Sequence, residues 1–202
     1  MIKVGVTGGI GCGKTFVCAR LKSRGIPVYN CDDEAKRLMG EDPSIRERLC
    51  SLIGNEAYIG CSLNKPAIAG FLFASPDNGQ KINAIVHPAV RQDFVAWAER
   101  QEKPLVVQEC ALLFEAGFQD TVDVVVAIQA PVELRMERAM RRDNATRRQI
   151  EARMLQQLDD EEKIRRADYC IVNDGTADID QQIDNVLKLI TNNRKLITNN
   201  RP

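Results

Sequence analysis

The spacing of apolar and polar positions changes several times along the chain. IKVGV at 2–6 is short and β-branched, a glycine-rich stretch follows, and FVCARLKSRG then takes a helical spacing closed by Gly25. IPVYN at 26–30 reads as a second strand. CDDEAKRLMG opens with acids and turns helical, as suits a helix N-terminus. Residues 43–101 lack a strong strand signal and carry amphipathic stretches, among them SIRERLCSLIG and KINAIVHPAVRQDFVAWAERQ, so this region is predicted to be mostly helical. PLVVQEC at 104–110 and VDVVVAIQA at 122–130 have the continuous apolar character of buried parallel strands. PVELRMERAMRRDNATRRQIEARMLQQ is Arg-rich and helical, with a break near Asp143 and Asn144. ADYCIVND at 167–174 is predicted as the last strand and DIDQQIDNVLKLI as the last amphipathic helix. Strands alternating with helices predict an α/β fold with a parallel sheet and right-handed crossovers. KLITNNR at 188–194 recurs at 195–201. Two copies do not make a solenoid, a short local duplication accounts for them, and the tail at 191–202 is predicted to fray.

Between the first strand and the first helix stands VTGGIGCGKTFV, residues 6–17. Gly8, Gly13, Lys14 and Thr15 fit the G-x-x-x-x-G-K-[ST] pattern of a phosphate-binding P-loop, and the flanking strand and helix are the context that the pattern requires. Glycines let backbone N–H groups turn inward around phosphates, and the helix N-terminus adds partial positive charge. Gly8, Gly9, Ile10, Gly11, Cys12, Gly13, Lys14, Thr15 and Phe16 are therefore the candidate ATP-binding residues. Lys14 is expected to reach the β- and γ-phosphates and the Thr15 hydroxyl to hold Mg²⁺. Cys12 is read as a small filler rather than a reactive thiol, since nothing nearby suggests thiol chemistry.

With 202 residues and 44% hydrophobic residues, the chain can form one substantial core with a helical insertion. A formal net charge of zero argues against a nucleic-acid partner. No apolar run approaches the roughly 20 residues that cross a bilayer, and MIKVGVTGG lacks a signal-peptide layout, so a cytoplasmic protein without a membrane partner is expected. Seven cysteines, with no C-x-x-C pair, argue against a disulfide framework or zinc site. Oligomeric state is not encoded legibly; a monomer or weak homo-oligomer is the expectation.

The loop alone does not distinguish a switch, a motor and a kinase. No N-K-x-D stretch for guanine reading is present, and a motor would need more chain. A small-molecule kinase needs an acid near the γ-phosphate, an acceptor pocket and arginines that neutralise the transferring group. Asp32, beside Asp33 and Glu34 just past the second strand, is the first candidate acid; capping of the following helix is the alternative. Glu109, at the end of a later strand, could contact Mg²⁺ indirectly. Arg138, Arg141, Arg142, Arg147 and Arg148 crowd around the predicted helix break and read either as a solvated face or as a lid closing over ATP. His87, before Pro88, reads as a structural hydrogen-bonder, and Trp97 as core.

TGGIGCGK, VYNCDDEA, NAIVHPAVR, ECALLFE, RAMRRDNAT, ARMLQQ and ADYCIVNDG occur in this order. Together they resemble the dephospho-coenzyme A kinase family, over residues 2 to about 190. The resemblance implies a P-loop NTPase-type parallel sheet flanked by helices (1–30 and 103–190), a helical acceptor-binding insertion (31–102) and an Arg-rich lid at about 138–150. It implies transfer of the ATP γ-phosphoryl group to the ribose 3′-hydroxyl of dephospho-coenzyme A, the last step of coenzyme A synthesis. Catalytic roles then fall on Asp32, Lys14, Arg138 and Arg142, substrate binding on His87, Leu112, Leu113 and Glu115, and an approach to the nucleotide base on Asn173. Two positions depart from the family pattern. Asn30 stands where the first acid of a D-x-D element is expected, and Ala111 where a proline precedes Leu-Leu. A two-carboxylate Mg²⁺ scheme loses support from Asn30, and the Ala111 loop loses a fixed φ. Other nucleoside or nucleotide kinases, and a non-catalytic nucleotide-binding module, are the rival readings.

Overall fold

The computed structural model describes residues 1–75 and 77–199, with side chains to residue 192. The chain forms two compact units, one of Met1–Tyr29 with Gln101–Pro202 and one of Asn30–Arg100.

The first unit is built on β1 (Ile2–Thr7), β2 (Val28–Asn30), β5 (Leu105–Glu109), β6 (Val124–Gln129) and β7 (Tyr169–Val172), with β3 and β4 lying elsewhere in the chain. They form a five-stranded parallel sheet in the order β2-β5-β1-β6-β7. Every residue of β5 is buried, as is all of β1 except Lys3. Burial on both faces explains why these strands read as continuous apolar runs. Helix α1 (Lys14–Ser23) supplies Val17, Cys18 and Leu21 to one core with Val4, Val6, Val107, Val126, Ile128 and Ile171, and α9 (Ile179–Asn199) adds Ile183 and Ile190. α6 (Val132–Asp143), α7 (Arg147–Met154) and α8 (Asp160–Arg166) lie between β6 and β7. The break predicted near Asp143 is the αL turn at Asn144, φ 49°, and Thr146 with Gln149 forms a capping box that starts α7.

The second unit contains α2 (Cys31–Glu41), α3 (Pro43–Ile53), α4 (Lys65–Ala74) and α5 (Asn78–Glu99), with a hairpin of β3 (Tyr58–Ile59) and β4 (Ser62–Leu63). Asp42 caps α3 by accepting from Ser44 N and Ile45 N, with Pro43 in the first turn. Ile45, Leu49, Ile82, Ile85, Val86, Val90 and Phe94 are buried. Arg37 on α2 spans Glu34, Glu41 and, at 3.0 Å, Asp93 on α5. Trp97 is half-buried, its ring 6.1 Å from Phe94.

Three features depart from the pattern reading. The hairpin interrupts a region predicted to be helical; its two-residue loop begins with Gly60 at φ 59°, a conformation that a glycine adopts freely. α8 is seven residues, DEEKIRR, too short and too charged to show an apolar stripe. The backbone of α9 is helical to Asn199, within the segment expected to fray from 191, while 200–202 lie outside the described residues.

His87, the only histidine of the chain, lies inside α5 and is half-buried. Burial pushes its imidazole below the ordinary value; Asp32 opposes that shift and Arg91 adds to it. The unfolded chain therefore takes up a proton that the folded chain resists, and stability is lost as pH falls through the unfolded value of about 6.5. Melting temperature should drop between pH 7.5 and 5.5 in the wild type. His87→Gln should reduce that drop; an unchanged pH dependence would refute the assignment.

Candidate active site

The P-loop occupies the carboxyl edge of β1, where ligands bind in open α/β sheets. Gly13 caps α1 with φ 94°. A Cβ there would collide with Asn173 Nδ2, which fills the space and donates to Cys12 O at 2.8 Å. Gly11, φ 79°, is closed in by the Arg135 carbonyl. These two positions need glycine for both conformation and room. Cys12 is 1% exposed and belongs to the core under the loop, as the filler reading expects. Cys18, one turn further into α1, has its thiol pushed up by burial and by neighbouring Glu109, so it stays protonated.

Lys14 Nζ donates to Gly8 O at 2.9 Å and Gly9 O at 3.3 Å, so the ammonium lies across the first limb of the loop. Thr15 Oγ1 donates to Glu109 Oε1 at 2.7 Å. Glu109 ends β5, is buried, and is brought beside Thr15 because β5 pairs with β1 through Val6 and Glu109. The two oxygens are hard donors of the kind that Mg²⁺ takes alongside phosphate oxygens. Among the described residues no group of three or more His, Cys, Asp or Glu could hold a metal. Phe16 is exposed, with the Arg20 guanidinium 3.8 Å from its ring centroid.

Other members of the predicted set are placed differently from expectation. Asn173 is buried, and its side chain braces the loop from beneath. Its carbonyl accepts from Arg138 NH1 at 3.0 Å, which holds Arg138 at this edge. Leu113 is fully buried, and a Cβ on Gly5 would meet its Cδ1 at 2.7 Å, so it packs the core rather than lining a ligand surface. Leu112 is half-buried. Glu115 pairs with Lys163 Nζ at 3.0 Å and accepts from Leu158 N at 2.7 Å, which makes it an internal joint. Arg142 is exposed and bonded to Asp143, which Arg153 also contacts at 2.7 Å. Arg147 pairs with Glu133 and Glu151. These exposed pairs are weak, of the order of 0–1 kcal/mol, and break readily when a stronger anion competes.

Asp32 and His87 belong to the helical unit. Neither Asp32 nor its neighbours cap α2: Asn30 does, its side chain accepting from Asp32 N at 3.0 Å and Asp33 N at 3.1 Å. The residue that departs from the D-x-D pattern thus has a local task that an amide performs well. Asp33 pairs with Lys36 and Glu34 with Arg37, whereas the exposed Asp32 carboxylate has no hydrogen-bond partner among the described residues. Sequence reasoning missed Arg135, Gln157, Asp160 and Lys163. Arg135 Nε donates to Ile10 O at 3.0 Å and pairs with Asp160; Gln157 Oε1 accepts from Ile10 N at 2.9 Å; Lys163 Nζ donates to Ala111 O at 3.0 Å. Burial lowers the pKa of Lys163, and Glu115 counters it. ARMLQQ carried a signal for Gln157, but no spacing rule pointed it at the loop.

The model for dephospho-CoA kinase matches residues 2–178. A dephospho-CoA kinase of Bacteroides fragilis is 46% identical over 190 residues, 94% of this chain and 91% of the relative. One from Porphyromonas gingivalis is 36% identical, covering 96% of each chain. A crystal structure from Thermus thermophilus superposes with TM-score 0.81 at 34% identity, over 93% of this chain and 96% of that one. A shikimate kinase from Acinetobacter baumannii, TM-score 0.57 at 18% identity, covering 96% of this chain and 94% of that one, shares the fold. No described helix is long and apolar enough to cross a membrane. A P-loop formed on this sheet and a match across nearly the whole length lead to one conclusion: the chain belongs to the dephospho-CoA kinase family.

Proposed function

We propose that the chain transfers the γ-phosphoryl group of ATP to the ribose 3′-hydroxyl of dephospho-coenzyme A, giving coenzyme A. The observation that carries this reading is the formed P-loop, with Lys14 and the Thr15–Glu109 pair at its mouth, in a chain 46% identical to a dephospho-CoA kinase. In this reading the backbone N–H groups of the loop bind the phosphates. Lys14 leaves the Gly8 and Gly9 carbonyls to meet the β- and γ-phosphates. Thr15 and Glu109 would hold Mg²⁺, which when bound would supply charge neutralisation for the phosphates. Arg138 and Arg142 take up charge as the group transfers. Asp32, whose carboxylate is not spent on capping or pairing, accepts or orients the proton of the acceptor hydroxyl. The helical unit, with His87, receives the acceptor. The protein acts in the cytoplasm, as a monomer or weak homo-oligomer.

ADP release, measured with ATP, Mg²⁺ and dephospho-coenzyme A, AMP, adenosine or pantetheine in turn, tests the reading. Release with dephospho-coenzyme A alone, and a product heavier by one phosphoryl group, is expected. Release with AMP or adenosine would favour another nucleotide kinase, and nucleotide binding without release a non-catalytic module.

Lys14→Ala should lower turnover by about 10²-fold or more while the fold persists, because positioning and electrostatics supply most of the catalysis. Asp32→Asn should lower turnover by about 10²-fold, the scale of general-base assistance, and leave ATP affinity near wild type. Single-turnover kinetics and calorimetric ATP binding check both. A weakened ATP affinity with normal turnover in Asp32→Asn would make Asp32 a nucleotide-site residue instead.

A further inference from the structure

Ile10 sits in the limb of the P-loop crossed by Lys14 Nζ. Since that lysine is the residue that meets the β- and γ-phosphates, the Gly8–Ile10 limb faces the γ end of the nucleotide. Both backbone groups of Ile10 are occupied by side chains from outside the loop: its N–H by Gln157 Oε1 at 2.9 Å, and its carbonyl by Arg135 Nε at 3.0 Å. Its side chain packs against the cluster of Met136, Ala139 and Ile150 of α6 and α7. The limb that faces the reacting phosphoryl group is therefore held by the Arg-rich segment itself.

Gln157 lies three residues after α7 ends at Met154, and its N–H donates to Met154 O at 3.0 Å. The next residue, Leu158, donates its N–H to Glu115 at 2.7 Å, and Glu115 is held by buried Lys163. The turn carrying Gln157 is thus tied on one side to α7 and on the other to the turn after β5. Arg135, 4% exposed, has Asp160 as its partner at the start of α8.

We propose that Gln157 is a positioning residue for phosphoryl transfer: by holding the Ile10 N–H it sets the γ-facing limb of the P-loop and couples that limb to the arginine-bearing helices α6 and α7. The proposal rests on reading the loop as an ATP site. It separates Gln157 from residues that merely bind nucleotide. The helix N-terminus and the Asn173 brace serve the phosphates common to ADP and ATP, whereas the limb that Gln157 holds is the one crossed by the lysine that also meets the γ-phosphate, so its loss should weigh more on ATP than on ADP.

The test compares Gln157→Met, of similar length without an acceptor, with Gln157→Glu, which keeps an acceptor oxygen and adds charge. Gln157 is only half-buried, so both variants should fold, and melting curves check this. Calorimetric binding of ADP and of a non-hydrolysable ATP analogue is measured for each, with turnover on dephospho-coenzyme A alongside. Loss of one neutral hydrogen bond corresponds to about three- to tenfold. Gln157→Met should weaken the analogue by that factor, leave ADP within about twofold and lower kcat, independent of salt. Gln157→Glu should weaken the analogue at low ionic strength and recover at high salt, where its charge is screened. Equal losses for ADP and the analogue, or no loss for either, would overturn the proposal. The binding arm decides it even if wild-type protein fails to phosphorylate dephospho-coenzyme A, a result that would sink the proposed acceptor and not this inference.

Discussion

One buried hydrogen bond organises the nucleotide unit: Asn173 Nδ2 to Cys12 O, 2.8 Å, in the space that Gly13 leaves by having no side chain. The N–H groups of a P-loop that point at a ligand cannot also hold the turn, so much of the holding falls to its carbonyls, with the Ile10 N–H, taken by Gln157, held as well. Asn173 takes the Cys12 carbonyl from the end of β7, Arg135 takes the Ile10 carbonyl from α6, and Lys14 spans the Gly8 and Gly9 carbonyls. Two segments far apart in sequence and the loop's own lysine thus converge on the back of a single loop. That convergence is possible because β1 is central in the sheet, with β5 on one side and β6 and then β7 on the other. The order of strands, not any one of them, brings Glu109 and Asn173 to the same carboxyl edge.

The proposed roles draw on residues of both units. In the proposed reaction, charge neutralisation falls to Lys14, Arg138 and the oxygen pair of Thr15 and Glu109, all in the nucleotide unit. The proposed acceptor chemistry resides in the helical unit, with Asp32 and His87. Asn30, where the family pattern has an acid, has a local structural task. Its amide oxygen closes two N–H groups at the start of α2, which leaves Asp32 one residue into the helix, exposed, with its carboxylate free of capping duty.

Much of the fold was legible because its signals are local. Apolar runs such as VDVVVAIQA, the P-loop spacing, Gly25 and the Asn144 break each depend on a few neighbouring residues. The hairpin at Tyr58–Leu63 was not legible, since strands of two residues carry no period. Nor was α8, whose one buried residue is a lysine, Lys163, paired with Glu115 across 48 positions. The site divides the same way. Lys14 and Thr15 announce themselves by spacing, and Glu109 by its place at a strand end. The roles of Gln157, Arg135 and Asn173 follow from contacts that join distant segments, which no pattern along the chain encodes. Leu113 and Glu115, expected to line the acceptor site, serve packing and an internal ion pair in the structure.

The measurement that tests the central claim most directly is calorimetric ADP binding to Asn173→Ala, with thermal melting to establish that the fold persists. A loop held from behind by Asn173 predicts ADP affinity weakened about tenfold, the cost of leaving a buried carbonyl without its donor. Wild-type affinity in a folded Asn173→Ala protein would contradict the account, because the loop would then keep its shape without the bond on which the account says it depends.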